Sequence, residues 1–320
     1  MDVTSVDAVL MCADPSAWRP GDSWLAGGTV TFSYGTDITR GAPTRLLDIT
    51  GAGWTPLTWH PHADAPDAFP DLEIAATCRI ADLRALADEA APGGVARADL
   101  PGLDLIPPAC DAFVASWKIW NVSTVGGNVA TALPAGPMIS LLSSWDATVL
   151  ILGRDGSARC VPVAELVVGP ARTGLGDGDL IRSFHVSGSV LAQMPAFRRI
   201  SLTERGRSAA LLIGRRTSPT TVRLTVTAST FHPIVLDLAA DPAVGQIPAD
   251  GSAWRDAIDT TVELTRGWYD DIHGEPAWRR LMTHRLGEEI LAELLPDHAT
   301  GIHDAIGRVT GDLRIERTAS

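Results

Sequence analysis

The sequence predicts an α+β fold in two parts, and three observations carry that reading. Up to about residue 168, short apolar runs alternate with stretches of helical spacing. The loop GPARTGLGDGDL at 169–180, with four glycines and a proline, then breaks the pattern. Beyond it apolar residues recur with period two, which suits an antiparallel sheet, and the last third turns helical.

The elements follow in order. Leu25 to Thr31 runs into a glycine-containing turn. Arg45–Ile49 (RLLDI) and Leu72–Ala76 read as buried strands. Leu83, Leu86 and Ala90 share one face of a helix over 81–90. A second helix runs from Pro108 to Trp117, with proline at its start and Ala109, Phe113 and Trp117 spaced by four. A glycine-rich turn follows at 124–128. Met138, Leu141, Leu142 and Trp145 mark an amphipathic helix. Thr148–Leu152 is a strand, with Ala158–Val163 as its hairpin partner. Leu180–Val186, Ala209–Arg216 and Thr221–Thr230 alternate as strands. The closing helices span Ser252–Tyr269 and Pro276–Leu295, the second carrying Trp278, Leu281, Met282, Leu286 and Ile290 on one face. The tail past Asp297 is polar and expected to fray. With the boundary near 187–196, the expected domains are 1–188 and 189–295, followed by a tail at 296–320.

Composition narrows the function. The 320 residues carry a formal charge of −12. That argues against a broad footprint for nucleic acid or anionic lipid. No apolar run approaches the ~18–20 residues that span a bilayer, and no basic segment precedes an apolar stretch at the N-terminus. Cys12, Cys78, Cys110 and Cys160 are nowhere closer than 32 positions, and no CxxC occurs. They suit reduced thiols in a cytoplasmic protein better than a zinc or iron–sulfur site. Ten Trp against two Tyr is unusual, and composition alone does not explain it.

Two paired-glycine segments dominate the first half: Leu25-Ala26-Gly27-Gly28-Thr29 and Thr124-Val125-Gly126-Gly127-Asn128. Such pairs allow φ > 0 and let successive N–H groups converge on an anion, or they are plain tight turns. Two such nests would grip a diphosphate without a lysine. On that reading Gly127→Val is expected to abolish binding, because valine resists φ > 0. The His60-Pro61-His62 pair lacks a third ligand, so no metal site is expected. The GLGDG run at 174–178 lacks the GK[ST] of a phosphate loop and reads as a turn. Arg198, Arg199, Arg205, Arg207, Arg215 and Arg216 form a local basic patch, either a solvated strand face or a contact for phosphate or an acidic partner. No catalytic acid or base stands out.

The ordered segments LAGGT (25–29), RLLDITG (45–51), EIAATCRIADL (73–83) and NVSTVGGNVATALPAGPMISLLSSWDATVLIL (121–152) resemble the FAD-binding medium subunit of the molybdenum hydroxylases. That family includes the medium subunit of aerobic carbon monoxide dehydrogenase and the flavin domain of xanthine dehydrogenase. The likeness continues through ELVVGPARTGLGDGDLIRSFHV (165–186) to DDIHGEPAWRRLMTHRLGEEIL (270–291). It implies a two-subdomain FAD-binding domain of the vanillyl-alcohol-oxidase or p-cresol methylhydroxylase (PCMH) type. A small α+β domain of the carbon monoxide dehydrogenase flavoprotein C-terminal type would follow, beside the isoalloxazine. It also implies that Ala26, Gly27, Gly28, Thr29 and Val30 cradle the pyrophosphate, with Thr124, Val125, Gly126, Gly127 and Asn128 opposite. Ile181 would lie near the adenine or ribose, and Arg199 where relatives carry a lysine close to the flavin. Four positions depart from the family pattern: Val30, Trp120, Ser123 and Pro137.

The resemblance implies an FAD-dependent oxidoreductase. Its flavin would be non-covalent and would relay electrons from a molybdopterin large subunit through a [2Fe–2S] small subunit. The alternatives are a stand-alone FAD-dependent enzyme acting on a small organic substrate, or a degenerate scaffold without flavin.

Overall fold

The computed structural model describes residues 5–34, 42–62, 64–65, 68–89, 94–239 and 251–295. The expected tail at 296–320 and Ala90 lie outside these residues.

A small parallel sheet begins the chain. Strand Arg45–Asp48 runs between Ala8–Met11 and Asp22–Leu25. Leu46 and Leu47 are buried, as two-sided coverage of a central strand requires. Arg45 ties the sheet together, its guanidinium paired to Asp22 and donating to the Ala17 carbonyl. The Arg45 contact holds the Asp22 carboxyl below the usual carboxylate range.

A five-stranded sheet follows, in the order Leu57–His60, Asp71–Ala75, Leu180–Val186, Thr148–Leu152, Ala158–Pro162, with every neighbour antiparallel. The third sheet is an antiparallel meander of Pro195–Ile200, Ala210–Ser218, Thr221–Thr227 and Ile234–Ala239. Helices Ser252–Glu263 and Pro276–Leu294 cover it and bury Trp254, Ile258, Leu286 and Ile290 against it. Thus Leu180–Val186 completes the first large sheet and does not belong with the second. Its alternation is the same in either sheet, so the pattern could not choose between them.

The first closing helix ends at Glu263 and not at Tyr269, and four more elements differ from expectation, each for a physical reason. Residues 124–128 are not a turn. Thr124 is the N-cap of a helix over Val125–Thr131, its hydroxyl accepting from the Gly127 N–H at 3.0 Å. A good cap satisfies an orphan donor and offsets the poor helix propensity of two glycines. The helix at Pro108 spans Ile106–Asp111, and the chain then breaks at Val114, where φ is +51. It restarts as Trp117–Trp120, so the 109–113–117 spacing is not one helix face.

Helix Pro137–Ser144 is buried along all eight residues, not amphipathic. It lies between the second and third sheets, where Ser140 Oγ meets Thr227 Oγ1 at 2.6 Å and Ser144 Oγ donates to the Leu141 carbonyl. The Ser140 and Ser144 hydroxyls are thus satisfied while buried, which lets both faces be covered, whereas the buried Ser143 hydroxyl has no partner among the described residues. On the last helix the buried face runs through Arg279, Thr283, Leu286, Ile290 and Leu294, while Leu281 is 60% exposed.

The tryptophans divide by role. Trp145 and Trp254 are core anchors whose indole N–H groups donate to the carbonyls of Gly102 and His284. Gly287 makes room for Trp254, since a Cβ there would lie 2.2 Å from the indole. Trp117, by contrast, is 68% exposed.

The thiols can be ranked the same way. Burial pushes Cys78 and Cys110 up to about 12, which leaves almost no thiolate at neutral pH. A disulfide reagent applied to native protein is expected to label exposed Cys160, Cys12 more slowly, and neither buried thiol until denaturant is added. Rapid labelling of all four thiols in native protein would contradict this packing.

Candidate cofactor site

The strand Asp22–Leu25 ends in the turn that carries Ala26, Gly27 and Gly28. Gly27 presses against the chain at 122–123, where a Cβ would sit 1.9 Å from the Val122 carbonyl oxygen. Gly28 alone among the four paired glycines has φ > 0, at +68. Among the described residues, no protein acceptor takes the amides of Ala26, Gly27, Gly28, Thr29 or Val30. This strap is therefore a run of open donors.

The second segment is built differently. The amides of Val125 and Gly126 donate to the carbonyls of Cys78 and Ala76, at 2.8 and 3.0 Å. Those of Gly127 and Asn128 return to the Thr124 side chain and carbonyl. The expected second nest is thus absent, because capping and sheet contacts absorb its donors. Gly126 is required by close approach, since a Cβ would lie 2.7 Å from the Ala76 carbonyl oxygen. Gly127 is helical, so the φ > 0 argument against valine does not apply there. The Asn128 carboxamide accepts from the Met138 N–H at 3.0 Å and caps the buried helix.

Between these segments opens a cleft of about 760 Å³, within the range of small-molecule and cofactor sites. Ala26, Gly27, Gly28, Thr29 and Val30 line one side. Thr124, Gly126, Gly127 and Asn128 line the other, and Ile181 belongs to the wall. Val125 is fully buried beneath the cleft, not in its lining.

Arg199 also lies outside the lining. Its guanidinium donates to Ser208 Oγ at 2.7 Å and to the Gly206 carbonyl, so it braces the wall from behind. It is Arg207 and Ser208 that face the cleft.

Two parts of the wall were not anticipated. The GLGDG turn borders the cleft through Leu175, Asp177 and Asp179. Asp179 organises it, accepting from Arg159 at 2.6 Å and from the Gly176 N–H at 2.7 Å, while its carbonyl takes the Trp24 indole N–H. The other part comes from the C-terminal segment: Tyr269, Asp271, His273 and Arg279.

Arg279 is 1% exposed. It donates to the carbonyls of Gly274 and Ala209 at 2.7 Å and of Ala228 at 2.5 Å, pairs with Asp271, and lies over the Tyr269 ring. Burial lowers its pKa, and Asp271 works against that fall. An arginine in register with the apolar stripe of Leu286, Ile290 and Leu294 was the available signal.

Part of the basic patch does not stand free. Arg198 reaches Glu289 at 3.2 Å and Glu293 at 2.5 Å. Arg215 is buried against Asp146, Gln193 and the Ser144 carbonyl. These side chains are neutralised within the fold, which removes Arg198 and Arg215 as contacts for an outside partner. His60 lies 2.9 Å from Glu73, and His62 lies 3.4 Å from Asp71. Among the described residues no group of three metal ligands forms.

The donor set fits an anionic dinucleotide. The amides of 26–30 are open where neither segment supplies a lysine or arginine, and added Cβ atoms at Gly27 and Gly28 would collide with the Val122 carbonyl and the Phe32 ring. Of the four departures, Ser123 bonds Thr29 across the two segments at 3.0 Å. Pro137 starts the buried helix, Trp120 packs on the first core, and the Val30 carbonyl accepts from Ser33.

Residues 67–186 match the family described as the FAD binding domain in molybdopterin dehydrogenase. That match spans 120 of the 320 residues. No curated protein matches the chain in sequence. Among solved structures it is similar to a chain of quinoline 2-oxidoreductase from Pseudomonas putida 86, with TM-score 0.64, 17% identity, and coverage of 92% of this chain and 97% of that one. It is also similar to a chain of carbon monoxide dehydrogenase from Hydrogenophaga pseudoflava (TM-score 0.66, 16% identity, 89% and 96% covered). A third match is the reconstituted CO dehydrogenase from Oligotropha carboxidovorans (TM-score 0.65, 16% identity, 92% and 98% covered). At these identities the likeness is one of fold.

Proposed function

We propose that this chain is the FAD-binding subunit of a molybdopterin-dependent dehydrogenase and hands electrons through its flavin. The observation that carries this reading is the strap of open amides at 26–30. It lies outside the 67–186 match and yet completes the cleft that the matched domain borders.

When bound, FAD supplies the redox chemistry, and the protein supplies binding, orientation and electrostatics. Gly27 and Gly28 let the strap close on a diphosphate. Thr124 and Asn128 fix the opposite side through two helix caps. Arg279 and Asp271 hold the C-terminal wall in place. Neither paired-glycine segment contains a histidine or cysteine, which supports non-covalent binding of FAD. The cysteine spacing suits no self-contained iron–sulfur site, so a molybdopterin chain and a [2Fe–2S] chain are separate partners. The same reading divides the chain at 188/189, between a core centred on the five-stranded sheet and one centred on the meander. No helix among the described residues is long and apolar enough to cross a membrane.

Purified protein is expected to be yellow and to release FAD into the supernatant on acid precipitation. Colourless protein that cannot be reconstituted with FAD refutes the reading. Flavin retained in the pellet refutes only its non-covalent part. Tagged protein expressed in its native host is expected to bring down one large molybdopterin chain and one small cysteine-rich chain. Recovery of the yellow chain alone under low-salt conditions favours a stand-alone oxidoreductase.

A further inference from the structure

Ser123 is the point where the two segments touch. Its hydroxyl lies 3.0 Å from that of Thr29, joining residues 94 positions apart. Both residues line the cleft, and Ser123 is 3% exposed. The Ser123 backbone is committed elsewhere: its N–H donates to the Ile119 carbonyl at 2.7 Å, and its carbonyl accepts from Ile80 at 3.0 Å. Only the side chain is left to serve the cleft.

Two hydroxyls carry two protons, and the bond between them uses one. Among the described residues nothing accepts the other. No lysine or arginine lies in 25–31 or 121–128 to take its place as an anion donor.

We propose that Thr29 and Ser123 form a hydroxyl dyad that donates to a phosphoryl oxygen of a bound diphosphate. One hydroxyl accepts from the other and gives its own proton to the anion. The bond received polarises the donor, and the charge on the acceptor shortens and strengthens the outgoing bond. The dyad adds a side-chain donor at the junction where the open amides of 26–30 meet the capped helix. This assignment rests on the proposed diphosphate cofactor.

The test is FAD titration of apoprotein, followed by the quenching of flavin fluorescence. Ser123→Ala and Thr29→Val are each expected to raise the Kd about tenfold, the scale of one hydrogen bond to a charged group. Thr29→Ser, which keeps the hydroxyl, is expected to stay within about twofold of the parent. The double variant Thr29→Val/Ser123→Ala is expected to bind no worse than the weaker single variant, because either change alone breaks the dyad. A Ser123→Ala protein that binds like the parent overturns the dyad alone, as do single effects that multiply in the double variant. A parent that takes up no FAD overturns the cofactor reading and the dyad with it.

Discussion

Gly27→Ala is expected to yield folded protein that takes up no FAD. A Cβ at this position would lie 1.9 Å from the Val122 carbonyl oxygen, 2.7 Å from its carbon and 3.0 Å from the Ser123 Cα. All three are backbone atoms, and the first distance is more than an ångström inside any real Cβ contact. No rotamer relieves it, so the strap must withdraw from the segment it presses on. Its open amides then move away from the opposite side of the cleft, and the Thr29–Ser123 contact opens as well. Each hydrogen bond to a charged group is worth ~1.5–3 kcal/mol, so the loss of two or more weakens binding at least ~100-fold. The folding cost is smaller, about 1–3 kcal/mol, because the change falls at a turn and not inside a core.

Gly127→Ala is the internal control. Its Cβ meets only the Thr124 hydroxyl, at 2.9 Å, and that side chain can turn. It is expected to weaken FAD binding no more than about tenfold, the cost of disturbing a single cap. Equal affinities in parent and Gly27→Ala protein, measured by fluorescence titration, would show that the strap does not hold the cofactor.

The two glycine pairs look alike in sequence and act differently in the fold. The sequence placed both beside one cleft, because pattern and order are local and legible. It did not show that Thr124 caps a helix, since whether a threonine caps or merely precedes a turn depends on where the chain goes next. Strands RLLDI and TVLIL were legible because both are short, nearly unbroken apolar runs, the first with its central leucines buried and the second with one face buried and the other half-buried. Strands Ala8–Met11 and Leu57–His60 were not. The first is an exposed edge, the second is only half buried, and neither carries a clean alternation. Helix Pro137–Ser144 was found but given one face too few, because serine counts as polar even when its hydroxyl turns back to the backbone. Arg198 and Arg215 of the basic patch misled for a related reason. Their partners Glu289, Glu293 and Asp146 lie 69 to 95 positions away in the chain, and composition cannot reveal such pairing.

Arg279→Met is expected to be the most destabilising substitution at the C-terminal wall. Methionine keeps much of the volume and removes every donor. The carbonyls of Gly274, Ala209 and Ala228 and the Asp271 carboxylate then lose their common partner. Breaking one side of a buried ion pair typically costs ~3–5 kcal/mol, and here the loss falls mainly on three carbonyls left without their donor, since the Asp271 side chain is 28% exposed. For a domain of this size that lowers the melting temperature by roughly 6–20 °C. Arg279→Lys is expected to recover little, since an ammonium lacks the planar fork that reaches three carbonyls and a carboxylate together. Arg223→Met is the contrasting case. Arg223 pairs with Asp237 at 2.6 Å and Asp146 at 2.7 Å, but all three side chains are about a third or more exposed. Screening by water limits that loss to about 1 kcal/mol. Urea unfolding of the three apoproteins separates these cases. If Arg279→Met loses no more stability than Arg223→Met, the buried guanidinium is not what holds the wall. If it loses the full amount, residual FAD affinity should fall with it, because Tyr269, Asp271 and His273 line the cleft from the segment that Arg279 anchors.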